Sequence, residues 1–510
     1  MRPYVLVMTR RVATGRSHAR AGRAARVPAL VAGVLVAGLA AGLAGCGGPA
    51  QSTPPAPPTQ PAPPAPGPPD ARTVAAAITE DGLRARLEAL ATTTEKSDVY
   101  RAVGSTGYDS AAALVAQELR AAGWTVTEDA YTDAAFADDG GSFVEVGGRT
   151  FGVDDLRPLV FAPAGDVEGR VITIDWALDA PADTAKGCAV THYGTLPPHA
   201  IVMVRQGPCL RREQVIAAQK AGAAAFVAVY PQMPPGVVYR PTLIEPGLME
   251  IPAVAVSREA ADALLAAAGD RATARLVTHA RTSAGPTRSI LAELTGTEPG
   301  AVIMLGAHLD SVIDGPGIND DGSGVAALLE IARALGGTRP RATIRLAFWS
   351  GEEVGLHGSF RYASALSTEE ARAILVYLNV DMIASPNGFA GVYDEPGAPA
   401  GSKVAHDLLV AAVERAGGTP VGIDLGGGSD HYGFSEAGVV TAGVFAGAGE
   451  PVTAEQAAAS GAVAGRPADA CYHQPCDDVA NANLPLARIL AAGLADFTAR
   501  VAADPELLNH

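Results

Sequence analysis

The residues best able to do chemistry in this chain are acids and imidazoles set beside apolar runs. His308 and Asp310 follow AVIMLGA, and Asp320 and Asp321 stand just ahead of GVAALLEIA. Glu352 and Glu353 follow ATIRLAFW, Asp381 ends ILVYLNV, and His473 lies far downstream between Cys471 and Cys476. Taken singly, each reads as a helix cap or a solvated loop charge. Their shared placement after apolar runs is harder to explain that way. Imidazole with carboxylates suits zinc, with manganese or cobalt as weaker matches. His308, Asp320, Glu353, Asp381 and His473 are too many ligands for one tetrahedral ion that must keep an open position. Five suit two ions about 3.5–4 Å apart that share a bridging carboxylate. Asp310 lies two residues from His308, and alternation along a strand puts both on one face. Its carboxylate is therefore expected to take the imidazole N–H and set the tautomer; the bland reading is a surface turn before Ser311.

Regular elements must bring these residues to one edge. From Ser289 onward strands and helices alternate, which predicts an α/β fold with a mostly parallel central sheet flanked by helices. Strands are expected at 301–307, 342–349, 374–380 and 439–445, and helices at 324–335, 404–416 and 485–502. In open sheets of this kind sites form beyond the carboxyl ends of the strands, which is where these acids fall. Upstream, 83–90 and 110–122 have helical spacing, with Ser110 the expected N-cap and Gly123 the stop; 124–128 alternates like a strand. Residues 140–287 change character, with short β-rich runs at 170–174, 200–204, 225–230 and 251–256 and a single good helix at 211–221. That stretch holds no ligand cluster and no nucleophile with a base, so it is expected to act as a lid or substrate-access module. The expected organisation is a leader at 1–46, a spacer at 47–73, one domain split between 74–139 and 288–505, and an insert at 140–287.

The amino terminus reads as an address. A basic stretch is followed by the apolar run 27–44 and by Leu43-Ala44-Gly45-Cys46. The run is too short and too rich in small residues to span a membrane comfortably. It resembles a bacterial lipoprotein signal, which implies lipidation of Cys46, export, and membrane attachment through that lipid alone. The other reading is an ordinary secretory signal with a chance cysteine, and Arg10-Arg11 leaves a twin-arginine route open. Proline density over 47–72 predicts an extended, semi-rigid spacer. The four other cysteines fall into two local pairs, so disulfides Cys188–Cys209 and Cys471–Cys476 are expected in an oxidising compartment. Residues 1–45 carry seven arginines and no acid; without them the net charge of −16 becomes near −23. Such a surface repels phosphate backbones and argues against nucleic acid as a partner.

AVIMLGAHLDSVIDGPGINDDGSGVAALLEIA, FWSGEEVGLHGS, LNVDMIASP, GGSDHYGF, FAGAG and CYHQPCDD occur in this order. Together they resemble the secreted dizinc aminopeptidases of metallopeptidase family 28, the small Streptomyces type in particular. Six ordered motifs are far more specific than a lone HxD. The string IVMVRQGPCLRREQVIAAQKAGAAAFVAVY, followed by IPAVAVSREAADALLAA, resembles the protease-associated (PA) domain often inserted into exported peptidases. The first resemblance implies a phosphorylase/hydrolase-like zinc peptidase fold and two zinc ions. Motif by motif, it implies His308 and Asp381 on one ion, Glu353 and His473 on the other, and Asp320 between them, with a cis peptide after Asp320. Glu352 would be the general base and Tyr472 an oxyanion donor, with Asp310 and Asp430 supporting the ligands from behind. Met382, Phe445 and the Cys471–Cys476 bridge would shape an apolar pocket, although Met382 and Phe445 also read as core residues. The implied substrates are peptides with a free N-terminus and a leucine-like first residue, cleaved by a monomer. Residues 426–428 are three glycines where that type has a more polar stretch with an arginine, which bears on how the substrate amine is held.

Other activities fit the same scaffold. A carboxypeptidase should present arginine to the substrate carboxylate, and the matched motifs contain none. A glutaminyl cyclase-like transferase is expected to work with one zinc. A binding protein that had lost catalysis would lack ligands that are all present here. Metal stoichiometry and a leucine-anilide assay separate these readings.

Overall fold

The computed structural model describes residues 67–95, 97, 99–174, 186–230 and 236–509. The leader, Cys46 and the spacer through residue 66 lie outside the described residues. Three capped helices come first: α1 (Ala71–Ala76), α2 (Glu80–Thr94) and α3 (Thr106–Ala121). The cap of α3 is Ser105, whose Oγ accepts from Tyr108 N at 3.0 Å. Ser110, the expected cap, sits inside the helix with its hydroxyl donating to Thr106 O. Burial of Tyr108, two residues upstream, extends the helix in that direction. Strand β1 (Thr125–Asp138) then runs ten residues beyond the short alternating stretch at 124–128.

The next segment builds a sheet of its own from β2 (Phe143–Val146), β3 (Arg149–Phe151), β4 (Leu156–Pro158), β5 (Gly165–Ile174), β6 (Ile201–Arg205), β7 (Ala225–Val229), β8 (Ala253–Val256) and β9 (Thr273–Thr278). Their order is β3-β2-β9-β5-β6-β7-β8-β4, and β5 to β8 are parallel. Among the described residues it carries two α-helices rather than one: α4 (Arg211–Lys220) and α5 (Arg258–Gly269). The second begins at Ser257, whose Oγ accepts from Ala260 N. Its Ala-rich run packs Ala260, Ala261 and Leu264 against the sheet. Both expected disulfides are present, Cys188–Cys209 in this segment and Cys471–Cys476 near the carboxyl end.

The remaining chain supplies β10 (Ala280–Leu294), β11 (Val302–His308), α6 (Gly322–Leu335), β12 (Thr343–Trp349), α7 (His357–Ala365), α8 (Thr368–Ala373), β13 (Ile374–Val380), β14 (Gly391–Tyr393), α9 (Ser402–Arg415), β15 (Val421–Ile423), α10 (His431–Glu436), β16 (Thr441–Phe445), α11 (Ala454–Ser460) and α12 (Leu484–Ala503). The main sheet is ordered β1-β10-β12-β11-β13-β16-β14-β15. Its centre, β12-β11-β13-β16, is parallel, while β1, β10 and β14 join antiparallel. The expected boundary at 287/288 falls inside β10. Side chains alternate between two apolar layers. Ile303, Leu305, Leu346, Phe348 and Leu378 face α2, α3, α6, α9 and α12, while Met304, Trp349 and Tyr377 face α7 and α10. Gly306 permits this second layer: a Cβ there would stand 2.1 Å from Tyr377 Oη and 2.6 Å from Trp349 Nε1. Among the described residues, no helix is long and apolar enough to cross a membrane.

One loop of the β2–β9 segment is pinned to the main sheet's loops. Buried Arg240 donates to Asp314 Oδ2 at 2.7 Å, Asp138 Oδ2 at 2.9 Å and Pro158 O at 2.8 Å. His357, at the start of α7, lies between Asp133 Oδ1 (2.7 Å) and Ile244 O (3.0 Å). Both ring nitrogens face acceptors, so the imidazolium satisfies both. Burial lowers the His357 pKa, but Asp133 and the Ile244 carbonyl outweigh it and the net shift is upward. A raised histidine pKa gives stability that is complete below the free value and lost as pH rises through the folded one. At fixed metal saturation, the wild-type unfolding midpoint should therefore fall more steeply above pH 6.5 than that of His357→Gln. Parallel pH profiles for the two proteins would remove this role.

Candidate metal centre

The parallel register aligns the carboxyl ends of β11, β12 and β13, with His308 opposite Trp349. His308 ends β11, Glu352 and Glu353 follow β12, and Asp381 follows β13. Asp320 arrives from the loop ahead of α6. His473 arrives from the short loop closed by Cys471–Cys476. These segments converge. Asp320 Oδ1 lies 3.1 Å from His308 Nε2, and its other oxygen lies 3.1 Å from His473 Nε2. Glu353 Oε2 is 3.0 Å from His473 Nε2, and Asp381 Oδ1 is 3.6 Å from His308 Nε2. One carboxylate thus spans two imidazoles, and each imidazole has a second acid beside it. Glu352 Oε2 stands 4.0 Å from His308 Nε2 and, at 13% side-chain exposure, is more open than any of these acids.

The donor set fits cations. Asp320 Oδ2, Glu353 Oε1 and Asp381 Oδ1 are buried without a hydrogen-bond partner. Burying several carboxylates this way is costly unless a positive charge meets them. Within the protein that charge comes from imidazole. Burial lowers the His473 pKa, yet Glu353 and Asp320 outweigh it and raise it to about 10. Burial also pushes the Glu352 carboxyl well above its usual range, with His308 opposing and Glu353, Asp430 and Asp381 reinforcing. Asp430 is buried and pushed up to about 7, chiefly by that burial.

Behind the ligands the geometry departs from expectation at Asp310. His308 Nδ1 meets the backbone carbonyl of Asp310 at 3.1 Å, not its carboxylate, whose nearer oxygen is 4.0 Å away. β11 ends at His308, so strand alternation stops short of Asp310. The carboxylate instead accepts from Gly351 N, Glu352 N and Glu353 N at 2.9 to 3.2 Å, fixing the loop that presents both glutamates.

Several supports were not foreseen. Asp321, next to Asp320 across a cis peptide of the expected kind, accepts from His308 N, Gly324 N and Met382 N. It also lies close enough to His308 and Asp381 to group with them, but those three amide bonds mark it as the clasp joining three ligand segments. Its N-cap spacing to Gly324 is the signal that could have found it. Asp477 accepts from Asn319 N and Asp320 N, tying the CYHQPCDD loop to Asp320. Ser429 Oγ donates to Asp381 Oδ2 at 2.6 Å and itself accepts from Asn379 Nδ2. Buried Arg101 donates to the carbonyls of Leu309, Pro316 and Gly317, holding the loop between His308 and Asp320.

Of the remaining expected residues, Tyr472 stacks on His473 with ring centroids 3.8 Å apart. Met382 is buried with φ 50°, held by its amide bond to Asp321. Phe445 ends β16, half-buried, opposite Gly391. His406 Nδ1 meets Tyr393 O at 2.8 Å, away from the acids.

Known proteins resemble this chain in sequence and in fold. The model of Peptidase family M28 matches residues 289–498, and the PA domain model matches 161–264. A probable lipoprotein aminopeptidase, LpqL, from Mycobacterium tuberculosis is 34% identical over 82% of this chain and 84% of its own length. Leupeptin-inactivating enzyme 1 from Streptomyces exfoliatus is 41% identical over 40% of this chain and 46% of its own. Among solved structures, an aminopeptidase from Aneurinibacillus sp. strain AM-1 superimposes with a TM-score of 0.66 at 21% identity, covering 85% of this chain and 96% of that one.

Proposed function

The chain belongs to peptidase family M28 and is a peptide hydrolase, and from that premise we propose that it is an exported aminopeptidase working with two zinc ions. The observation that carries the reading is Asp320, whose two oxygens each lie 3.1 Å from a different imidazole. His308 and Asp381 would hold one ion, His473 and Glu353 the other, and Asp320 both. Two zinc ions bound there would acidify a water toward neutrality and polarise the scissile carbonyl. Glu352 takes the proton of the attacking water and passes it to the leaving amine. Tyr472 donates to the carbonyl oxygen as it gains charge. Glu352 and Asp381 accept from the free amino group, which restricts cleavage to the first residue. Met382 and Phe445 favour an apolar side chain there. Cys46 carries the lipid, and the proline-rich spacer holds a monomeric body off the membrane.

Hydrolysis of leucine p-nitroanilide, of its N-acetylated form and of a C-terminal reporter peptide tests this directly. Activity on the first alone is expected, lost with a chelator and restored by zinc. Equal turnover of the acetylated substrate would exclude an aminopeptidase.

A further inference from the structure

The two imidazoles at the centre are fixed in different ways. His308 has its outer nitrogen on the Asp310 carbonyl at 3.1 Å. Imidazoles that bind metals almost always have such a partner. His473 lacks one: its Nδ1 is buried with no hydrogen-bond partner. It also lies outside any helix or strand, at φ 58°. Something else must set its ring plane.

Aromatic contacts do. Tyr472 stacks at 3.8 Å, and Tyr239 lies nearly parallel to the imidazole, at 5.4 Å and 10°. Tyr239 and Tyr472 stack with centroids 6.3 Å apart at 21°, so the three rings form a closed triangle. Tyr239 belongs to the inserted segment between β7 and β8, not to the main sheet. Its position is held on both sides. Tyr230 meets its edge at 5.2 Å, and the next residue, Arg240, is the buried guanidinium paired with Asp314 and Asp138.

We propose that the inserted domain completes the catalytic site through Tyr239, a positioning residue that sets the plane of His473. The proposal rests on the dizinc reading above. Stacking governs how well His473 holds its ion. Substitution isolates it: Tyr239→Phe keeps the ring, whereas Tyr239→Leu removes it.

The test titrates zinc alone into metal-free protein against a competing chelator and pairs this with steady-state kinetics on leucine p-nitroanilide. Tyr239→Leu should weaken one of the two zinc sites by about 10–100-fold and leave the other unchanged. Tyr239→Phe keeps the stacked ring and should keep both affinities. Turnover by Tyr239→Leu should fall below the wild type at limiting zinc and rise as zinc is added. Thermal unfolding of the metal-free variants confirms that each folds. Unchanged zinc affinity in Tyr239→Leu, equal weakening of both sites, or a Tyr239→Phe protein weakened as much as Tyr239→Leu would each overturn the proposal. If the wild type binds a single zinc, the dizinc reading fails, while the response of that ion to Tyr239→Leu still decides whether the insert positions His473.

Discussion

Glu352→Gln should lower kcat by about 10²–10⁴-fold, the usual worth of a positioned general base, while both metal ions stay bound. Three observations set this expectation. Glu352 Oε2 is 4.0 Å from His308 Nε2, farther than the Asp320 and Asp381 oxygens that crowd the same nitrogen. It is also the most open of these acids. Its neighbour Glu353 is engaged with His473 at 3.0 Å. Adjacent glutamates on a loop pinned by the Asp310 carboxylate therefore divide the work, one toward a metal and one toward a proton. Glutamine keeps the shape of Glu352, and the backbone amide that donates to Asp310 is untouched, so folding and metal content should survive. Glu353→Gln should do the reverse and lose metal first. The deciding measurements are kcat, KM and zinc content on both variants. A Glu352→Gln protein within tenfold of the wild-type kcat, or one stripped of zinc, would remove Glu352 from the proton-transfer role.

How much of this was legible beforehand depended on how local the cause was. The parallel strands could be read because each is a buried apolar run ending in a polar ligand, and β13 occupies the expected residues. β11 is displaced by one residue because His308 still pairs with Trp349 across the sheet. Strands β14 and β15 escaped notice: three residues, one of them glycine, leave no periodicity to detect. The acids and imidazoles that converge were legible through motif order, but the contacts that support them were not. Whether Asp310 offers a carbonyl or a carboxylate to His308 depends on where β11 stops. The reach of Asp321 to Met382 N and of Arg101 to Pro316 O links segments 61 and 215 residues apart. Tyr239 had no sequence signal at all. It sits in a loop with no ligand motif, and long-range contacts, the pairing of Arg240 with Asp314 and Asp138 among them, hold it beside His473.

Asp320→Asn should cost the protein both ions, whereas Asp381→Asn should cost it one. Each ion that binds only the folded state adds RT ln(1 + [Zn]/Kd), about 2.7 kcal/mol when zinc is at a hundred times Kd. Two occupied sites therefore give the wild type roughly twice that, about 5.4 kcal/mol, over the metal-free form. Asp381 approaches only His308 among the two imidazoles, at 3.6 Å, with its other oxygen committed to Ser429. Its amidation should leave the His473–Glu353 pair able to hold an ion, and about half of the stabilisation should remain. Asp320 differs because its two oxygens serve the two imidazoles separately at 3.1 Å. An amide has one acceptor oxygen and one donor nitrogen, so whichever way it turns, one site faces an N–H in place of a carboxylate oxygen. The charge that both sites share is gone as well. Chemical denaturation with and without saturating zinc, alongside metal analysis, reads both quantities on one set of samples. If Asp320→Asn kept as much zinc-dependent stability as Asp381→Asn, the carboxylate would belong to a single ion and the paired-ion reading of this centre would fall.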